Sequence, residues 1–287
     1  MATYPTSDQL LVVIDPVARR TDGESVRIAK DVLSAGAATK VCLPDGPEEF
    51  TRALARRGSR RPVVVGDDRA LLRAVSALHR QRELAGCALS VVPVGGALSL
   101  TRSLGVPTGP VAAARAVLEG AERRLDLLVD DSDGVVLGTL RIPPVSSQQA
   151  DPAGSAAVPP EAGHPWLRTC QSLVRTLVTR PPRTTVVAGP GPSRLRVEVD
   201  GETVVDLEQP VEAVSVTPGG GTGKAEVEVR RLSVGAEASP LLAHGRTVTV
   251  SGAGFRYRAD TVVSGPVRTR TWRAVEGAWG LTLPVPR

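Results

Sequence analysis

Pro62-Val63-Val64-Val65-Gly66-Asp67-Asp68-Arg69-Ala70-Leu71-Leu72 is the stretch whose reading decides the fold. It opens on a short apolar, β-branched run and passes through glycine and charges. From Ala70 to His79 its apolar residues then recur at helical spacing. A buried strand that runs through a tight loop into an amphipathic helix is half of a parallel βαβ unit. Upstream, Leu10 to Ile14 reads as a buried strand, a helical pattern passes through Ile28, Val32 and Leu33, Val41 to Leu43 is a short strand, and Glu48 to Arg57 is helical. Downstream, Leu89 to Val92 is a strand, Leu98 to Leu104 and Val111 to Leu118 are helical, and Leu125 to Val129 closes the series. Strands spaced by helices predict a doubly wound parallel sheet.

The rhythm changes near residue 130. Asp131-Ser132-Asp133-Gly134 reads as a turn into an antiparallel return, Val135 to Ile142. Leu195/Val197/Val199, Val227/Val229 and Val248/Val250 alternate with polar neighbours, and Asp200-Gly201 is a hairpin turn between two such runs. Two domains are expected: an α/β domain over 1–130 and an antiparallel β-domain over 131–287. The second carries a mobile loop at about 143–165, rich in Pro, Ala and Ser, and one helix from Trp166 to Val178.

Composition excludes several classes. With 41% hydrophobic and 23% charged residues the chain is neither disordered nor fibrous, and no apolar run approaches the ~20 residues that span a bilayer. Cys42, Cys87 and Cys170 lie far apart without a Cys-x-x-Cys pair, so neither a disulfide framework nor a zinc site is expected and a reducing cytoplasm fits. The net charge of +5 points to anionic partners, but seven aromatics give little for nucleic-acid bases to stack on, so no nucleic-acid partner is expected. His79, His164 and His244 are scattered and read as packing or surface residues.

In an open parallel sheet, ligands bind beyond the carboxyl ends of the strands. Those positions are Asp15-Pro16, Asp45-Gly46, Gly66-Asp67-Asp68-Arg69 and Pro93-Val94-Gly95-Gly96. Glycine loops entering helices offer free N–H groups to a phosphate. Gly219-Gly220-Gly221-Thr222-Gly223-Lys224 is no Walker loop, because it lies between two β-runs, and it reads as a flexible hairpin tip. Arg56-Arg57-Gly58-Ser59-Arg60-Arg61 reads as a solvated loop, with a membrane-headgroup patch as the other reading.

These segments resemble, in order and spacing, the diacylglycerol kinase catalytic-domain family, which includes bacterial lipid kinases and sphingosine kinases. Ile14-Asp15-Pro16 stands at the family's Asn-Pro opening, and Val65-Gly66-Asp67-Asp68-Arg69-Ala70 at its Gly-Gly-Asp-Gly-Thr. Pro93-Val94-Gly95-Gly96-Ala97-Leu98-Ser99 looks like its Pro-Leu-Gly-Thr-x-Asn-Asp. Arg124-Leu125-Asp126-Leu127 is similar to its Ile-Asp-Leu strand, and Ala259-Asp260-Thr261-Val262 to its Asp-Gly-Glu segment. The resemblance implies a phosphofructokinase-like N-terminal domain, ATP and Mg2+ as cofactors, and phosphoryl transfer to a lipid hydroxyl. It implies Asp68 and Asp260 as catalytic residues, with Asp68 and Asp126 at the metal. It implies Asp15, Gly66, Arg69, Gly95, Gly96 and Ser99 at the nucleotide.

The departures are specific: Asp67 and Arg69 replace glycines, Ala70 a threonine hydroxyl, Gly96 and Leu98 polar contacts, and Val262 the terminal glutamate. Two readings follow, an ATP-dependent lipid kinase, or a catalytically inactive pseudokinase that binds a nucleotide, lipid or protein partner. On the second, Asp67 blocks the triphosphate position or closes the loop by pairing with Arg69. A cytoplasmic location is expected, with peripheral membrane contact left open.

Overall fold

The computed structural model describes residues 9–144, 193–232 and 239–285. The loop expected at about 143–165, beyond Pro144, and the helix expected from Trp166 to Val178 lie outside the described residues. The described residues belong to one compact unit.

Its first part alternates as expected: β1 (Leu10–Ile14), α1 (Pro16–Thr21), α2 (Gly23–Gly36), β2 (Thr39–Cys42), α3 (Pro47–Ala55), β3 (Arg61–Gly66), α4 (Asp68–Arg80), β4 (Ala88–Pro93), α5 (Ser99–Ser103) and α6 (Pro110–Glu119). The four strands are parallel in the order β2-β1-β3-β4. Their apolar runs are continuous because both faces are covered. Leu11, Val13, Val64, Leu89 and Val91 pack under Phe50, Leu54, Leu71, Val75 and Leu78 of α3 and α4. Leu10, Val12, Val63, Val65 and Val92 pack under Val26, Ala29 and Leu33 of α2 and Ala113 and Val117 of α6.

The remainder is strand: β5 (Ala121–Asp130), β6 (Val135–Val136), β7 (Leu140–Ile142), β8 (Ser193–Val199), β9 (Glu202–Val205), β10 (Pro210–Pro218), β11 (Ala225–Arg231), β12 (Leu241–Gly245), β13 (Thr247–Ala259) and β14 (Val262–Leu283). Alternate residues of these strands bury a separate core of Val197, Val214, Val216, Val227, Val248, Val250, Tyr257 and Trp272. Asp200-Gly201 does turn β8 into β9, and the Gly219–Gly223 run does join β10 to β11.

One expectation is corrected. Leu125–Val129 does not close the parallel series, because β5 pairs antiparallel with β14 and β6, and the place beside β4 goes to the end of β14 through Gly280 and Leu281. An apolar run reports that a strand is buried, not which way it runs. Strand β14 also pairs with β13, and it plants one fully buried tryptophan in each core it borders, Trp272 in the β core and Trp279 under the parallel sheet.

Candidate functional site

The loops that follow β1, β3 and β4 converge, and glycine is what lets them. A Cβ on Gly66 would lie 2.6 Å from the Cβ of Ala70 and 3.0 Å from that of Asp15. Gly95 has φ +129, and a Cβ there would meet Asp67 at 3.2 Å. Both glycines therefore serve close approach of backbone to neighbouring side chains. Gly96 and Arg69 are exposed, and among the described residues the Arg69 guanidinium has no hydrogen bond or ion pair.

Asp67 is the N-cap of α4, its Oδ1 accepting from the N–H of Arg69 and of Ala70, each at 3.1 Å. These N–H groups at the positive end of the helix are the donors a phosphate would use, and a carboxylate already sits on them. The closed Asp67–Arg69 pair weighed from the sequence does not form; the backbone takes the charge instead.

Asp68 is fully buried. Its carboxylate accepts from the N–H of Leu100 at 2.8 Å, the N–H of Thr101 at 2.9 Å and the Ser99 hydroxyl at 3.3 Å, which caps α5 from the neighbouring loop. Asp15 is buried too. It accepts from the Val17 N–H at 2.8 Å and pairs with the Arg73 guanidinium at 2.6 Å, which also lies 5.3 Å over the Phe50 ring.

Asp260 stands with these groups. It forms the turn between β13 and β14 at φ +50, and accepts from the N–H of Leu137 at 2.8 Å, Gly138 at 2.8 Å and Thr139 at 3.0 Å. Gly138 lies between Asp260 and Leu100 of α5. Burial pushes the Asp260 carboxyl above the ordinary carboxylate range, its three N–H donors oppose the shift, and the charge of Asp68 adds to it. Asp68 and Asp260, far apart in sequence, are thus electrostatic neighbours.

Asp126 is not brought to them by its contacts. It is buried opposite the bulge of β14, where it accepts from Gly221 at 3.1 Å, Gly223 at 2.9 Å and Gly277 at 2.8 Å. The glycine run read as a flexible tip is therefore pinned to β5 by a carboxylate.

Sequence reasoning missed Arg73, whose only signal was a cation one turn beyond Arg69. It also missed the Leu137-Gly138-Thr139 loop, whose donors are main-chain groups that leave no mark in the side-chain pattern.

The fold and this arrangement define a mixed α/β protein with a sheet-rich C-terminal region and a carboxylate cluster where its parallel-strand loops meet. Residues 9–129 match the family model of the diacylglycerol kinase catalytic domain, so the resemblance read from the motifs is shown over that segment. Among solved structures, the chain is similar to “A putative diacylglycerol kinase from Bacillus anthracis str. Sterne”, at 12% identity and a TM-score of 0.69, with 98% of each chain covered. A second structure described in the same words matches at 13% identity, with the same TM-score and coverage. At that identity the likeness speaks for the fold. No curated protein matches the chain. The matches support a lipid kinase-like family.

Asp68 and Asp126, which the resemblance puts at Mg2+, are held by separate sets of backbone donors and are not gathered into one site by their contacts. Among the described residues no group of three or more His, Cys, Asp or Glu is placed to hold a metal ion. Asp68 and Asp126 each spend both carboxylate oxygens on N–H donors. Among the described residues no helix is long and apolar enough to cross a membrane.

Proposed function

We propose that this chain is a catalytically inactive relative of the lipid kinases, a pseudokinase that keeps the kinase fold as a binding module. The observation that carries the proposal is the Asp67 carboxylate bonded to the first N–H groups of α4. A triphosphate entering there would have to displace a bonded anion and then sit beside it. Two unit charges 4 Å apart interact by ~4 kcal/mol at an effective dielectric of 20, enough to cost several hundred-fold in affinity. Asp68 is committed to the backbone, because its carboxylate caps α5 and turning it toward a metal would loosen that cap.

Calorimetry of the full chain with magnesium-ATP tests the reading, together with a turnover assay on diacylglycerol. No turnover is expected, and binding is expected to be weak. The variant Asp67→Gly/Arg69→Gly, which leaves net charge unchanged, is expected to bind magnesium-ATP at least ~10-fold better, the factor that 1.4 kcal/mol gives. Tight binding by the wild type, unimproved in the double variant, would make Arg69 a phosphate ligand and put the active kinase first.

A further inference from the structure

Beside the Asp260 turn, the β-sheet sets two arginines directly against each other. Arg258 of β13 is the cross-strand partner of Arg141 of β7. Their neighbours in the same register, Leu140 and Ala259, face the β core, so the two guanidinium groups share the outward face. Like charges directly opposite one another destabilise a sheet. Nothing among the described residues relieves the pair, since neither arginine has an ion pair or side-chain hydrogen bond. Next in the row is Ser215 of β10, and beyond it Glu228, which is taken by Arg230 at 2.8 Å.

Arg258 stands out on a second count. Its Nε is buried without a partner, as are those of Arg196 and Arg270. Those two still use their terminal nitrogens, on Glu198 and on Asp131 respectively. Among these three, Arg258 alone has a desolvated donor and no acceptor for any part of its fork.

We infer that Ser215, Arg141 and Arg258 form a phosphate-binding site on the outer face of the β-sheet. Two adjacent guanidinium forks and a hydroxyl match the several acceptor oxygens of a phosphate, and its negative charge offsets the repulsion between the paired arginines. The phosphate comes either from a soluble phosphate compound or from a phospholipid head. Val263, the cross-strand partner of Arg258 in β14 and 45% exposed, offers apolar surface to the second source. The site needs neither ATP nor catalysis and stands apart from the reading of the kinase loops.

Two arms separate the sources: the thermal shift of the full chain with inorganic phosphate against chloride of equal ionic strength, and co-sedimentation with phosphatidylcholine vesicles with or without phosphatidic acid. Phosphate-specific stabilisation, or binding only to the acidic vesicles, is expected in at least one arm. Arg141→Gln and Arg258→Gln should each weaken it at least ~10-fold, while the unliganded melting temperature holds or rises because the like-charge contact is gone. Arg258→Lys keeps the charge without the fork and should recover only part of the loss. A response in neither arm overturns the inference, and so does one that the glutamine variants leave unchanged.

Discussion

Asp67 and Asp68 are neighbours in sequence with unrelated work. Asp67 holds the start of its own helix, and Asp68 holds the start of another. Replacing an N-cap aspartate by alanine costs about 1 kcal/mol, so Asp67→Ala should lower the melting temperature by roughly 2–4 °C in a chain of this size. A scan of wild type and variant by circular dichroism reads this directly. An unchanged melting temperature would mean that the cap contributes nothing and that Asp67 is free to meet a ligand. Both aspartates were marked from the sequence because they lie at a strand's carboxyl end. Which donors each would meet was not legible there, since a carboxylate's role depends on the N–H groups within about 3 Å of it, and those of Asp68 come from a helix some thirty residues on.

Helix α5 (Ser99–Ser103) is a single short turn, too short to persist by its own hydrogen bonds. Its first N–H groups are instead satisfied by the buried Asp68. Asp68→Ala would leave the Leu100 and Thr101 N–H groups buried and unpaired, at about 1–3 kcal/mol each. Asp68→Asn keeps one carbonyl acceptor and should recover about half of that loss. Urea unfolding curves of the two variants check the order; equal stability in both would place the cost elsewhere than in the cap. The helix itself was legible from the periodicity of Leu98 to Leu104. Strand direction was not: Leu125–Val129 reads the same whichever way β5 runs, and only its partner β14 settles it.

Asp260 ties the β13–β14 turn to the loop before β7, and through Gly138 to α5, so its protonation bears on the stability of the whole unit. Burial raises its carboxyl above the ordinary 3.8, so the folded chain holds this proton at pH values where the unfolded chain has released it. Its contribution is therefore fully present below about 3.8 and lost as pH rises through the folded value. Asp260→Asn removes this dependence: whatever its offset, the variant should gain stability relative to wild type as pH climbs from about 3 to about 8. A flat difference in melting temperature across that range would sink the assignment. The sequence by itself determined the parallel order of strand and helix, the hairpins, and the loops where charge would gather, because periodicity and turn chemistry are local. Only the tertiary structure decided that β14 borders both cores, that Arg141 opposes Arg258, and that the marked carboxylates are held by backbone N–H groups. Those outcomes depend on pairing between strands more than a hundred positions apart and on donors from about thirty to more than a hundred positions away, and no local pattern encodes which distant donors a buried charge will find.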